Sequence, residues 1–200
     1  MHHTFGFAAL CFASVLTASG CTSNGTSGET PDGSSTSSDL AMVPPDMAVS
    51  NAKFSFFVTS LKALQDLSKN PLGFGGDLRF GETGPGSGLR GADKICATIA
   101  ERSMPGAGKK TWRAFLSAKA DENGVQVNAI DRVGMGPWYD RLGRLLAMTK
   151  ADLVSDRPKG ADPAIINDFP NEDGVPNHQP DLTQPQVDNH DMLTGTNTQG

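Results

Sequence analysis

Few residues in this chain have both the type and the spacing that chemistry needs. Beyond the first three positions the only histidines are His178 and His190, both in Pro- and Asn-rich sequence. No serine has the strand-to-helix glycine setting of a hydrolytic nucleophile, so a Ser–His–Asp triad is not supported. The run Gly84-Pro85-Gly86-Ser87-Gly88 is rich in glycine. It lacks the lysine and the preceding strand that a phosphate-cradling loop requires. Gly73-Phe74-Gly75-Gly76 is likewise loop sequence. His178, His190 and Asp191 offer two imidazoles and a carboxylate, with no Cys or Glu at motif spacing to complete a transition-metal set. Asp188, Asn189 and Asp191 carry the side-chain oxygens that calcium prefers. With no paired acid and base and no complete metal set, the expectation is a protein that is not an enzyme.

The cysteines say more. Residues 5–20 are apolar or small and hold no charged side chain. The run is short of the ~20 strongly apolar residues a spanning helix needs, and it suits the core of a signal peptide. Ala18-Ser19-Gly20 is followed directly by Cys21. This arrangement resembles the bacterial lipobox, in which the cysteine is acylated and the chain is cut just before it. Residues 1–20 are then a leader and Cys21 the lipidation site; the alternative is an ordinary cleaved signal with an incidental cysteine. Thr22, where a retention signal would have Asp, implies the outer membrane by resemblance to Gram-negative lipoproteins. On this reading Cys11 departs with the leader, leaving Cys96 alone in an oxidising compartment, either buried, paired between chains, or paired with sequence absent here.

Residues 21–52 read as a tether. From Thr22 to Ser50, 17 residues are Ser, Thr, Gly or Pro and none is aromatic. Such a stretch cannot bury enough apolar surface to offset its ordering entropy. As a flexible chain it spans about 30 Å, enough to hold a domain clear of lipid headgroups. The remainder, 53–200, suits one domain with a real core. The net charge of −5 conceals an asymmetry. Residues 53–150 carry 15 basic and 9 acidic side chains, and residues 151–200 carry 2 and 9. The acidic third is expected to fold against the basic part. Nucleic-acid binding is set aside, because no basic cluster with aromatics is present.

The positioning elements are mixed. Phe54 to Thr59 is aromatic and β-branched and predicts an opening strand. Leu61, Leu64 and Leu67 predict a helix stopped by Asn70-Pro71. Residues 73–91 form a glycine-rich loop. Leu89, Ala92, Ile95, Cys96, Ile99 and Ala100 share one helical face, with Arg90, Asp93, Lys94, Glu101 and Arg102 mostly elsewhere, and Pro105-Gly106 ends that helix. Cys96 is therefore expected to be packed or disulfide-linked rather than reactive. Thr111 to Ser117 predicts a second strand, residues 134–146 a loop and strand, and Thr149 with Asp152 the cap of a short helix. Residues 155–191 read mostly as loop and 192–196 as a final strand. Trp112 and Trp138 are expected in the core, with Tyr139 partly exposed.

Taken in order, Phe56-Phe57-Val58-Thr59-Ser60, Gly88-Leu89-Arg90-Gly91-Ala92-Asp93-Lys94-Ile95-Cys96, Trp112 to Ser117, Asp131-Arg132, Gly136-Pro137-Trp138-Tyr139 and Leu193-Thr194-Gly195-Thr196 form a series. The series, over roughly 54–200, resembles a myxobacterial and leptospiral-type lipoprotein family of unknown function. The resemblance implies an α+β fold of the endostatin-like, C-type-lectin-like kind. It also implies that Cys96 pairs with a late cysteine and that a further cysteine- and tryptophan-rich stretch follows residue 196, so the domain is expected to be C-terminally truncated here. Gln179-Pro180-Asp181 copies the triplet that holds calcium and galactose-type sugars in C-type lectins, although it precedes the Thr-Gly-Thr segment instead of following it. With Asp188, Asn189 and Asp191 it makes a weak calcium set, calcium being the one cofactor weighed. The expected function is a lipid-anchored outer-membrane protein displaying a recognition or adhesion module. Its partners would be the membrane, through Cys21, and an extracellular glycan or protein. An extracytoplasmic enzyme on the same scaffold and a structural envelope protein are the alternatives.

Overall fold

The computed structural model describes residues 9–14, 51–155, 157–177, 194–197 and 200, all within one compact unit. These residues form a mixed structure of small antiparallel sheets and four α-helices, compatible with the α+β class. Its first strand, β1, is Leu10–Ser14. It lies in the centre of a three-stranded sheet, between β2 (Phe56–Val58) and β3 (Thr111–Ala114), antiparallel to both. Cys11 stands opposite Phe57 on one side and Ala114 on the other; Phe12 stands opposite Phe56 and Arg113.

The pleat sends alternate side chains to opposite faces, and both faces are covered. Cys11, Ala13, Phe57, Trp112 and Ala114 enter one apolar cluster, against Ile95, Cys96 and Ile99. Phe12, Phe56 and Val58 enter the other, with Trp138, Leu146 and Val133. A strand buried on both faces has to be apolar throughout, and Leu-Cys-Phe-Ala-Ser meets that demand. Phe12 is 1% exposed and packs against the rings of Phe56, Phe115 and Trp138 at 5.1, 5.6 and 5.5 Å.

The same placement joins Cys11 to Cys96, with sulfurs 2.07 Å apart and a sequence separation of 85. This corrects two expectations about Cys96: its partner is within the sequence, and it is not a late cysteine. The apolar run that reads as a leader is also a sheet strand, because both roles ask for the same uncharged, β-compatible residues.

Helix α1 (Leu61–Ser68) starts at Ser60, whose hydroxyl accepts from the Ala63 N–H, and ends at Lys69 in the left-handed region ahead of Asn70-Pro71. Helix α2 (Ser87–Ser103) is the long element and buries Ala92, Ile95, Cys96, Ile99 and Ala100 as the spacing predicts. A 3-10 turn at Ala107–Lys109 leads into β3, and its Ala107 carbonyl accepts from the Trp112 indole at 2.8 Å. The first two predicted strands are shorter than expected. Phe54 forms only an isolated bridge to Tyr139, and the chain leaves β3 where Leu116 N–H turns back to Ala114 O.

Helix α3 is Ala129–Arg132. Strands β4 (Trp138–Tyr139) and β5 (Leu145–Ala147) form a hairpin over the second cluster. Its turn is built on Asp140, fully buried, whose carboxylate accepts from Leu142 N, Arg144 N and Arg144 Nε at 3.0, 2.8 and 2.7 Å. Helix α4 (Lys150–Leu153) carries the expected Thr149–Asp152 capping box. Trp112 and Trp138 are core and Tyr139 is half-buried, as predicted. Of the expected final strand, residues 194–196 are described and are not a strand; Thr194 O accepts from Ser117 N.

Candidate functional site

The described residue that most resembles a reactive group is Lys110. Its Nζ donates to the carbonyls of Asn51, Ala52 and Phe54, the last at 2.6 Å, with no carboxylate among these acceptors. Burial pushes the ammonium down to about 8 from its ordinary 10.5. Three carbonyls around three N–H bonds make a staple between β3 and the chain entering β2, not a nucleophile. In the unfolded chain the amine still binds its proton between pH 8 and 10.5, where the folded one has lost it. Stability therefore rises with pH through that window. The full shift would be worth about 3 kcal/mol, and screening at this half-buried site brings it to about 1 kcal/mol. Urea unfolding at pH 7.5 and 9.5 should show this gain, and it should be absent in Lys110→Met.

A second polar centre joins the 171–177 turn to α1. The Glu172 carboxylate accepts from the Ser60 N–H at 2.9 Å and the Ser60 hydroxyl at 2.6 Å, while burial pushes its pKa up. The hydroxyl that donates to Glu172 also caps α1, so both of its roles are structural. A cavity of about 320 Å³ opens beside this pair, near Lys62, Asp66 and Arg102. Glu172 thus ties the acidic third to residues 53–150 through the neutral Ser60 and not through a basic side chain.

The arrangement best formed to receive a ligand is at the start of α2. A cavity of about 690 Å³ lies between the glycine-rich loop (Leu78, Arg79), the first turn of α2 (Ser87, Gly88, Leu89) and Leu116, with Thr194 and Gly195 at its edge. Glycine at position 91 sets the loop wall: a Cβ there would stand 2.1 Å from Arg79 O and 2.2 Å from Leu78 O. Arg90 secures the rest of the loop, its Nη1 donating to Pro85 O at 2.7 Å and its Nη2 to Thr83 O at 2.8 Å. Arg79 forms two bonds with the Asp77 carboxylate, 2.8 and 2.7 Å, and holds that carboxyl at about 2.

Helix α2 begins without a side-chain cap. Its N-cap is Gly86, at φ +71°, so no oxygen reaches back to the first turn from there. The Ser87 N–H goes to Gly84 O and the Arg90 N–H to Gly86 O; the N–H groups of Gly88 and Leu89 have no acceptor among the described residues. The sequence reading missed this site by treating 84–88 as loop chemistry alone. The available signal was a long helix pattern with no Ser, Thr, Asp or Asn before its first turn.

Of the candidate lipidation, disulfide and metal residues named from sequence, only Cys96 is among those described. Cys21, Gln179, Asp181, Asp188, Asn189, Asp191, His178 and His190 lie outside them. Among the described residues no group of three or more His, Cys, Asp or Glu is placed to hold a metal. None of the described helices is long and apolar enough to cross a membrane. No family model, curated protein or solved structure matches this chain.

Proposed function

We propose that this chain is an exported lipoprotein, anchored to the outer membrane through acylated Cys21, whose 53–200 domain is a recognition or adhesion module. Its scaffold, on this reading, is the endostatin-like, C-type-lectin-like one that the motif order implies. The observation that carries the exported part is the uncharged apolar run at 5–20 with small residues before Cys21, which suits the core of a signal peptide. Anchoring is supported by the lipobox-like Ala18-Ser19-Gly20-Cys21 and by the Ser/Thr/Gly/Pro run after it. Several acyl chains on one cysteine would hold durably where a single chain does not. Ligand recognition is supported by the cavity at the start of α2, whose donors point to binding and lack an acid–base pair.

Strand β1 and the buried Cys11–Cys96 disulfide, a bond that persists in oxidising compartments, favour a second reading, in which the exported domain keeps its N-terminus and carries no lipid. Intact mass and detergent-phase partition of membrane-fraction protein separate the two. Acylation gives a 21–200 chain plus acyl groups in the detergent phase, and Cys21→Ser leaves it unprocessed and aqueous. An unprocessed wild-type chain with Cys11 and Cys96 oxidised would overturn the anchor and favour the second reading.

A further inference from the structure

Strand β1 and a cut before Cys21 ask different things of residues 1–20, and the place of the cut allows both. β1 ends at Ser14, and the bond broken in a lipobox joins Gly20 to Cys21, six residues on. Six extended residues reach about 20 Å, so that bond can be cut while every ladder bond of β1 stays made.

What the cut would set free is held from all sides. Leu10–Ser14 is the central strand, paired with β2 on one edge and β3 on the other. Beyond β2, the Ala9 N–H donates to Thr59 Oγ1 at 2.7 Å, and the Ala9 carbonyl accepts from the Thr59 N–H at 2.9 Å. The Leu10 carbonyl accepts from the Phe115 N–H at 2.7 Å. Cys11, Phe12 and Ala13 are buried, and they reach both apolar clusters. Withdrawing the strand would open both clusters and leave the facing edges of β2 and β3 unpaired. The Cys11–Cys96 disulfide adds a covalent bond across the cut, since Cys11 precedes it and Cys96 follows it. Neither cysteine has exposed surface, so a thiolate that would reopen the bond by exchange has no approach. Residues 5–20 are also a poor bilayer segment, too short to span and interrupted by Ser14, Thr17 and Ser19.

We propose that the processed protein is two chains: the acylated 21–200 chain and its own excised leader, retained as the central strand and disulfide-linked to Cys96. This rests on the lipoprotein reading, and it makes the slot between β2 and β3 the binding site of a named peptide. Two covalent steps are needed. The Cys11 and Cys96 thiols join, and their two electrons and two protons pass to a disulfide-bearing oxidant that leaves as a dithiol. Water hydrolyses the Gly20–Cys21 bond, leaving a carboxyl on Gly20 and an amine on Cys21. Neither step consumes a group the other needs.

Intact mass of membrane-fraction protein, denatured in iodoacetamide with and without prior reduction, tests this. Without reduction, one species should contain the acylated 21–200 chain joined to residues 1–20. After reduction the same sample should give the acylated chain and the 1–20 peptide in equal amounts. Cys11→Ser leaves Cys21 and the residues before it unchanged, so the protein should still be acylated but should carry at least ten-fold less leader. An acylated 21–200 chain free of leader before reduction would overturn the proposal and leave the lipoprotein reading standing. A single uncut chain under both conditions would overturn the lipoprotein reading, and the two-chain arrangement with it. Leader kept in equal amount by Cys11→Ser would overturn the disulfide as the tether.

Discussion

On the reading in which the domain keeps its N-terminus, a chain lacking residues 1–20 will show no cooperative unfolding transition, whereas Cys11→Ser in the full chain will unfold cooperatively at a lower temperature. The two changes remove different amounts of the same element. Cys11→Ser removes the disulfide but leaves β1 in the sheet. Closing 85 residues of chain is worth about 4–5 kcal/mol by the chain-entropy relation, so the loss should be of that order. Deleting the segment removes the central strand as well. Strands β2 and β3 each pair with β1 and not with each other, so both lose their ladder partner together. Phe12 leaves a ring-lined space in the second cluster, and truncations of that size alone cost about 3–5 kcal/mol. The combined loss matches or exceeds the net stability of an ordinary domain.

Circular dichroism melts of the full chain, Cys11→Ser and the 21–200 chain check this directly. A 21–200 chain with the full chain's Tm would show that β1 contributes nothing the domain needs. The result also bears on processing. Cleavage before Cys21 and incorporation of Leu10–Ser14 into the sheet make opposite demands on one segment, so a molecule that has undergone one cannot keep the other unless the cut peptide stays bound.

The elements were legible in sequence where a local rule decided them. The Leu61, Leu64, Leu67 spacing with Asn70-Pro71 places α1, the face shared by Ala92, Ile95, Cys96 and Ile99 places α2, and Thr149 with Asp152 places α4. What escaped was set by partners distant in sequence. Leu10–Ser14 is apolar for the leader and for the strand alike, and only β2 and β3, more than 40 residues away, make it a strand. Thr111 to Ser117 alternates well enough to predict seven residues of strand, yet β1 offers pairing for four. At the candidate site, the glycines at 84, 86 and 88 announced a loop. That the 78–79 backbone lies against the helix depends on the bare glycine at 91, a contact that no local pattern encodes.

Asp93 belongs to the same class, and its removal has the second large effect. By helical spacing it falls with the polar residues of α2, and an exposed acid there could be replaced at little cost. It is instead a carboxylate that joins three elements. Its Oδ1 accepts from Ala114 N at 2.9 Å and Arg132 Nη2 at 2.7 Å, and its Oδ2 from Arg113 Nη1 at 3.0 Å and Arg132 Nη2 at 2.8 Å. Arg132 also donates from Nη1 to the Ala114 carbonyl, so α2, β3 and α3 share one network. The Arg132 side chain is 9% exposed and the Asp93 side chain 12%. Asp93→Ala therefore strands a buried guanidinium and leaves the Ala114 N–H without its acceptor. Breaking such a pair from one side costs about 3–5 kcal/mol, or roughly 10 °C in Tm for a domain of this size. Removing both charges is less harmful than removing one, because the stranded cation accounts for much of the loss. The double variant Asp93→Leu, Arg132→Met should accordingly recover more than half of the Tm lost by Asp93→Ala. A drop under about 3 °C for the single variant would mean that the network is solvated and α2 is held to β3 by apolar packing alone. A double variant no better than the single one would place the energy in the Ala114 N–H bond and not in the ion pair.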